Sequence, residues 1–221
     1  MNLISPLDGV FLWSTLLFAL LMLLYVLRIA PWKSLAALPV RQHMWFGVII
    51  GLGIYGSLVQ LQLFNLFRLH PLLMAACTAI FGARLAILAG FGALLISHAF
   101  TSIPLVNIGF NFMVSVLAPV LIARGIFFLI ARSGVRNLFL YTLGGGFVGG
   151  MLSWAGSTIV GILLLTLSGV AYMPDVFENL WMFFLLTFPE GFCNGAIVSC
   201  MAVLSPHLVK TYDDDFYLHK K

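Results

Sequence analysis

The sequence predicts an all-α, polytopic membrane protein of about seven transmembrane helices, with its N-terminus outside and its C-terminus in the cytoplasm. Three observations carry this. First, 62% of the 221 residues are hydrophobic and 8% charged, with a mean hydropathy of +1.10. Soluble domains carry roughly 25% charged residues, so a chain this poor in charge cannot cover its surface in water and takes lipid as its solvent. Second, several stretches reach the roughly 20 consecutive apolar residues that a spanning helix needs, whereas a β-barrel would show short alternating segments. Third, lysine and arginine segregate between alternate loops, as derived below.

In chain order the candidate spans are Val10–Leu27, Met44–Phe64, Leu72–Gly82, Leu85–Phe100, Leu105–Ile130, Leu138–Leu167 and Phe177–Leu204. The first has no basic n-region: Asp8 precedes it and Arg28 follows, so it reads as a retained span and not as a cleaved signal. Leu72–Phe100 reads either as one long span or, because Gly82-Ala83-Arg84 puts a charge near its centre, as two. The positive-inside rule selects two. Seven spans with an outer N-terminus place Arg28, Lys33, Arg41, Arg84, Arg124, Arg132, Arg136, Lys210, Lys220 and Lys221 inside and Arg68 alone outside. Six spans mix the charges from the third segment onward. The loop Ser168–Val176 holds only Asp175 as a charge. In the sixth stretch "LGGGFVGG" is expected to bend or interrupt the helix. Residues 1–221 form one integral-membrane domain, of which 205–221 are a short, highly charged cytoplasmic tail. The net charge of +4 follows from this sidedness, and nucleic acid is not an expected partner.

Most motif matches dissolve on inspection. Gly144, Gly146 and Gly149 match G-x-G-x-x-G, but a dinucleotide site needs a preceding strand in a soluble fold. Close helix packing through Gly145 and Gly149, or Gly146 and Gly150, explains them better. Cys77, Cys193 and Cys200 lie in apolar segments without C-x-x-C spacing, which argues against disulfides or a cysteine zinc site. H-E-x-x-H and G-x-S-x-G are absent, and Ser153 and Ser157 have no base nearby in sequence, so the chain is not expected to be an enzyme.

Six polar residues remain. His70 and His98 fall near the outer ends of their segments, on the side of Met1 and Asn2. Two imidazoles and an amino terminus at one depth can capture a metal from outside, since histidine is the commonest metal ligand; the alternative is that each histidine caps a helix end. Asn107 and Asn111 are four residues apart, as are Glu190 and Asn194, so each pair shares a helix face. Glu190 lies about 20 Å along its helix from Phe177, near the midplane, where a charge costs at least about 2.5–3.5 kcal/mol and must find a partner. An interhelical hydrogen bond from a protonated Glu190 to Asn111 and a functional role both stand. Pro189 frees a carbonyl one turn earlier.

Three stretches together resemble a known family. In "FRLHPLLMAACTAIFGARLAILAGFGALL" a histidine opens a short apolar helix that a glycine ends, and a longer helix follows. "VNIGFNFMVSVLAPVLIARGIF" is similar to the asparagine-bearing helix after it, and "FPEGFCNGAIVSCMAVLSPHLVKTYDDDFYL" to the last helix and tail. They resemble the substrate-binding membrane component of cobalt and nickel energy-coupling factor transporters, of CbiM/NikM type, over roughly Leu69 to Leu218. The resemblance implies seven helices with an outward N-terminus, in the cell membrane. It implies a transmembrane coupling protein and cytoplasmic ABC ATPases as partners, and a divalent metal, cobalt or nickel, as cargo and not as a prosthetic group. It also implies metal bound by the N-terminal amine, by the backbone nitrogen and imidazole of a histidine at position two, and by the histidine opening the short helix. The last matches His70 and the amine Met1, but position two is Asn2. An amide replaces an imidazole poorly, so a nitrogen-rich square-planar site loses one of its ligands, and His98 is the candidate to compensate. A non-transporting membrane scaffold of the same fold is the alternative function, and an intramembrane hydrolase a third.

Overall fold

The structure is a computed structural model and describes residues 2–4, 7–63, 67–101, 103–169, 178 and 180–217. Met1, Phe64, Asp175, Phe177, Lys220 and Lys221 lie outside the described residues.

The long apolar runs form helices because a lipid-facing backbone has no other way to satisfy its own polar groups. In order these are α1 (Gly9–Ile29), a short α2 (Trp32–Ala36), α3 (Pro39–Leu58), α4 (Met74–Phe81), α5 (Ala83–Phe100), α6 (Leu105–Arg132) and α7 (Leu140–Ser168). Then come α8 (Leu180–Leu185) and α9 (Thr187–Leu204), which meet at a one-residue turn, and a last short helix α10 (Asp214–Tyr217). Among the described residues five rods are long and apolar enough to cross a membrane: α1, α5, α6, α7 and the α8–α9 run from Trp181 to Leu204. α3 has the length, 20 residues, but its first turns carry Arg41, Gln42 and His43. The outer surface is apolar where a soluble protein is polar: Trp13 is 70% exposed, Leu24 55% and Phe128 59%. That inverted surface identifies lipid as the surrounding medium.

Two features depart from the purely helical expectation. α3 ends at Leu58, not Phe64, and the chain continues as β2 (Leu61–Leu63) and β3 (Phe67–Leu69). The N-terminal residues Asn2–Leu3 form β1, which pairs antiparallel with β3, Asn2 opposite Arg68 and Leu3 opposite Phe67. The small sheet has the order β1-β3-β2 and lets a non-helical N-terminus enter the bundle with its backbone partly paired. Asn2 is fully buried and Leu3 nearly so.

α4 falls within the short third segment expected from sequence, Leu72–Gly82. All eight of its residues are buried, and about 12 Å of helix cannot span the membrane. Gly82, at φ +81°, breaks the chain between α4 and α5, a conformation that disfavours any residue with a Cβ. Tail residues close the C-terminal end of α4. The Lys210 N–H donates to the Ile80 carbonyl at 2.9 Å, the Thr211 N–H to Ala79 at 3.1 Å, and Arg41 Nη2 to Ile80 at 3.4 Å. Tyr212 and Tyr217 stack on each other and pack on Tyr141 of α7, so residues 205–217 are docked against the bundle.

Glycine sets the spacing between α7 and α9. A Cβ on Gly150 would stand 2.8 Å from the Asn194 Cβ, and one on Gly191 2.8 Å from the Phe147 carbonyl. The "GGGFVGG" segment thus packs through Gly146 and Gly150 against Gly191 and Gly195, the close approach that brings Glu190 and Asn194 inward.

Candidate functional site

Two sets of polar side chains converge on one small cavity. The first lies on α6. Asn107, Asn111 and Ser115 recur every four residues and form one stripe facing the N-terminal strand. Asn107 Oδ1 accepts the Leu7 N–H at 3.0 Å while its Nδ2 donates to the Leu3 carbonyl at 3.0 Å. Asn111 Oδ1 accepts the Leu3 N–H at 2.7 Å, and its Nδ2 donates to His98 Nε2 at 3.2 Å. The Ser115 hydroxyl donates to Asn2 Oδ1 at 3.0 Å. His98 Nδ1 contacts the Leu94 carbonyl at 2.9 Å and must carry the proton, since a carbonyl only accepts. Both ring nitrogens of His98 are therefore engaged, and the ring orients Asn111 instead of facing the cavity.

The second set lies on α9. Glu190 Oε2 accepts the Leu72 N–H and Oε1 the Leu73 N–H, each at 2.7 Å. Asn194 Oδ1 accepts the Ala76 N–H at 2.7 Å, and its Nδ2 donates back to Glu190 Oε1 and to the Glu190 carbonyl, both at 2.8 Å. Together they cap the N-terminus of α4, whose free N–H groups favour a negative charge. Both carboxyl oxygens act as acceptors toward the main chain. Glu190 does not meet Asn111; the hydrogen bond weighed between them is replaced by these caps. Pro189 lies in the first turn of α9, where a missing N–H costs nothing, and not in a helix interior. Leu73 is held at φ +55°, the only positive-φ residue other than glycine among the described residues. Such strain persists only where the surroundings enforce it, here through the Glu190 bond to its N–H.

Between the two sets lies a cavity of about 30 Å³, room for a single ion or water. Its walls include Asn2 from β1, Gly56 from α3, His70 and Met74 on either side of the α4 cap, and Gly90 and Ser97 from α5. Three buried polar atoms among these residues have no hydrogen-bond partner: Asn2 Nδ2, His70 Nε2 and Ser97 Oγ. His70 Nδ1 contacts the Pro71 carbonyl at 3.1 Å and so holds the proton, which leaves a lone pair on Nε2. His70 lies in the link before α4, outside the spanning helices, and burial lowers its imidazole to about 3, so it is neutral at pH 7. A neutral imidazole with its far nitrogen fixed by a carbonyl is the usual arrangement of a metal ligand. A Cβ on Gly56 would lie 3.6 Å from His70 Nδ1 and 3.8 Å from Ser97 Oγ, and would take up space beside both.

The structure thus brings Asn2 and His70 to one cavity, leaves His98, Asn107, Asn111, Glu190 and Asn194 as supports around it, and does not describe Met1. Ser97 and Ser115 were not singled out from sequence. Ser115 extends the four-residue spacing of Asn107 and Asn111, a signal that was present; Ser97 has none. Among the described residues no three of His, Cys, Asp and Glu converge as a metal cluster. No family model, curated protein or solved structure matches this chain.

Proposed function

We propose that this chain is the ion-capture membrane component of an energised uptake system for a transition metal, with His70 Nε2 as a ligand. The observation that carries the reading is the cavity: three buried polar atoms without partners around a space for one ion, in a protein whose other buried polar groups are mostly paired. In this reading seven segments cross the cell membrane, the third made by α4 together with the link before it, with the N-terminus outside and the C-terminus in the cytoplasm. The likeness to CbiM/NikM-type components adds cobalt or nickel as cargo, and a coupling protein with cytoplasmic ABC ATPases as partners. Glu190 and Asn194 position His70 through the α4 cap, and Asn107, Asn111 and Ser115 position Asn2.

The test is elemental analysis of the purified protein. Wild type should carry about one transition-metal ion per chain, and His70→Ala should lose at least about tenfold in retention, the scale of losing a supporting contact or more. Equal retention in both removes His70 from the site. A second reading has its own observation: the absence of a three-member His/Cys/Asp/Glu cluster among the described residues favours a non-transporting scaffold of the same fold. That reading predicts no stoichiometric metal in either protein.

A further inference from the structure

The lining of the cavity constrains which ion it suits. Among the described residues no ionisable acid lines it. The side chains with heteroatoms are Asn2, His70, Met74, Ser97 and Ser115. The Glu190 carboxylate is committed to the Leu72 and Leu73 N–H groups and Asn194, and Cys77 lines a separate apolar cavity. The cost of bringing an ion into a dry site grows with the square of its charge, so a neutral lining disfavours a divalent ion far more than a monovalent one.

The second constraint is sulfur. Met74 Sδ lies 2.9 Å from where a Cβ on Gly90 would stand, and Gly90 itself forms part of the cavity wall. The thioether therefore packs against Gly90 at the cavity wall, beside Val116. One imidazole and one thioether are a soft, neutral donor pair, which suits Cu(I).

We infer that the ion this cavity selects is a soft monovalent cation, Cu(I), ligated by His70 Nε2 and Met74 Sδ, in preference to cobalt(II) or nickel(II). This rests on the ion-capture reading and narrows it. Asn2 and Ser97 then act as walls of fitting size and polarity, and no change of oxidation state is involved.

The experiment uses the full chain in detergent, under anaerobic reducing conditions for Cu(I) and with Ag(I) as a redox-inert substitute. Wild type should retain about one Cu(I) or Ag(I) per chain through desalting, while Co(II) and Ni(II) pass through. X-ray absorption at the copper edge should show a sulfur neighbour. Met74→Leu conserves volume, so the fold should survive, while Ag(I) retention should fall at least about tenfold and the sulfur signal should vanish. Retention of Co(II) or Ni(II) with Met74→Leu unchanged overturns the inference and leaves ion capture standing. Retention of no ion by wild type overturns both, and that result needs no variant to fold.

Discussion

Two clamps grip backbone inside this bundle, and they are made of different chemistry. The α6 clamp, Asn107 with Asn111, is built of amides; the α9 clamp centres on a carboxylate, Glu190. The difference follows from what each one holds. The N-terminal strand offers both kinds of backbone group, and the amides answer Leu3 and Leu7 N–H with oxygen and the Leu3 carbonyl with nitrogen. The start of α4 offers donors only, and Glu190 answers with acceptors only. The residue type at each clamp is thus dictated by the polarity of the main chain it meets.

The largest effect expected from breaking this arrangement is at Glu190. Glu190→Ala leaves the Leu72 and Leu73 N–H groups unpaired, at about 1–3 kcal/mol each, so thermal unfolding in detergent should show a loss of about 2–6 kcal/mol together with loss of ion retention. A stability near wild type would show that the caps contribute little. The acid–amide exchange then separates the two clamps. Glu190→Gln turns an NH₂ group toward a backbone N–H and should cost about 1–3 kcal/mol, whereas Asn111→Asp keeps the acceptor for Leu3, loses only the bond to His98 and should cost about 1 kcal/mol. Equal losses in the same unfolding assay would refute the polarity argument. The smallest effect is at Ser115. Ser115→Ala removes one hydroxyl from Asn2 Oδ1 and should cost about 0.5–1.5 kcal/mol, with the fold intact and only ion affinity shifted.

These contrasts also mark what could be read from the residues alone. The long apolar runs and the helices coincide within a few residues, save the second run, which extends past α3 into a strand, because hydrophobic length is written in side-chain type. The break at Gly82 was visible for the same reason, as a glycine beside Arg84 in an apolar run. Asn107, Asn111, Glu190 and Asn194 stood out as polar groups that must find partners. Their partners did not, because those partners are mostly main-chain N–H and C=O groups, which every residue carries and none advertises. The insertion of Asn2–Leu3 as a strand was hidden likewise: two residues have no periodicity. The tail reads as short and highly charged, and its tyrosines are not signalled as anchors, yet Tyr212 and Tyr217 dock on Tyr141.

The capping of α4 also has a consequence in time. The groups that satisfy its first N–H bonds lie 118 residues further along the chain. At synthesis rates of roughly 5–20 residues per second, α4 leaves the ribosome roughly 6–24 s before Glu190 does. Throughout that interval it is an eight-residue helix, too short to cross the bilayer, with its donors still open. The wall that carries His70 is therefore among the last parts of the interior to settle, and the arrival of α9 completes it.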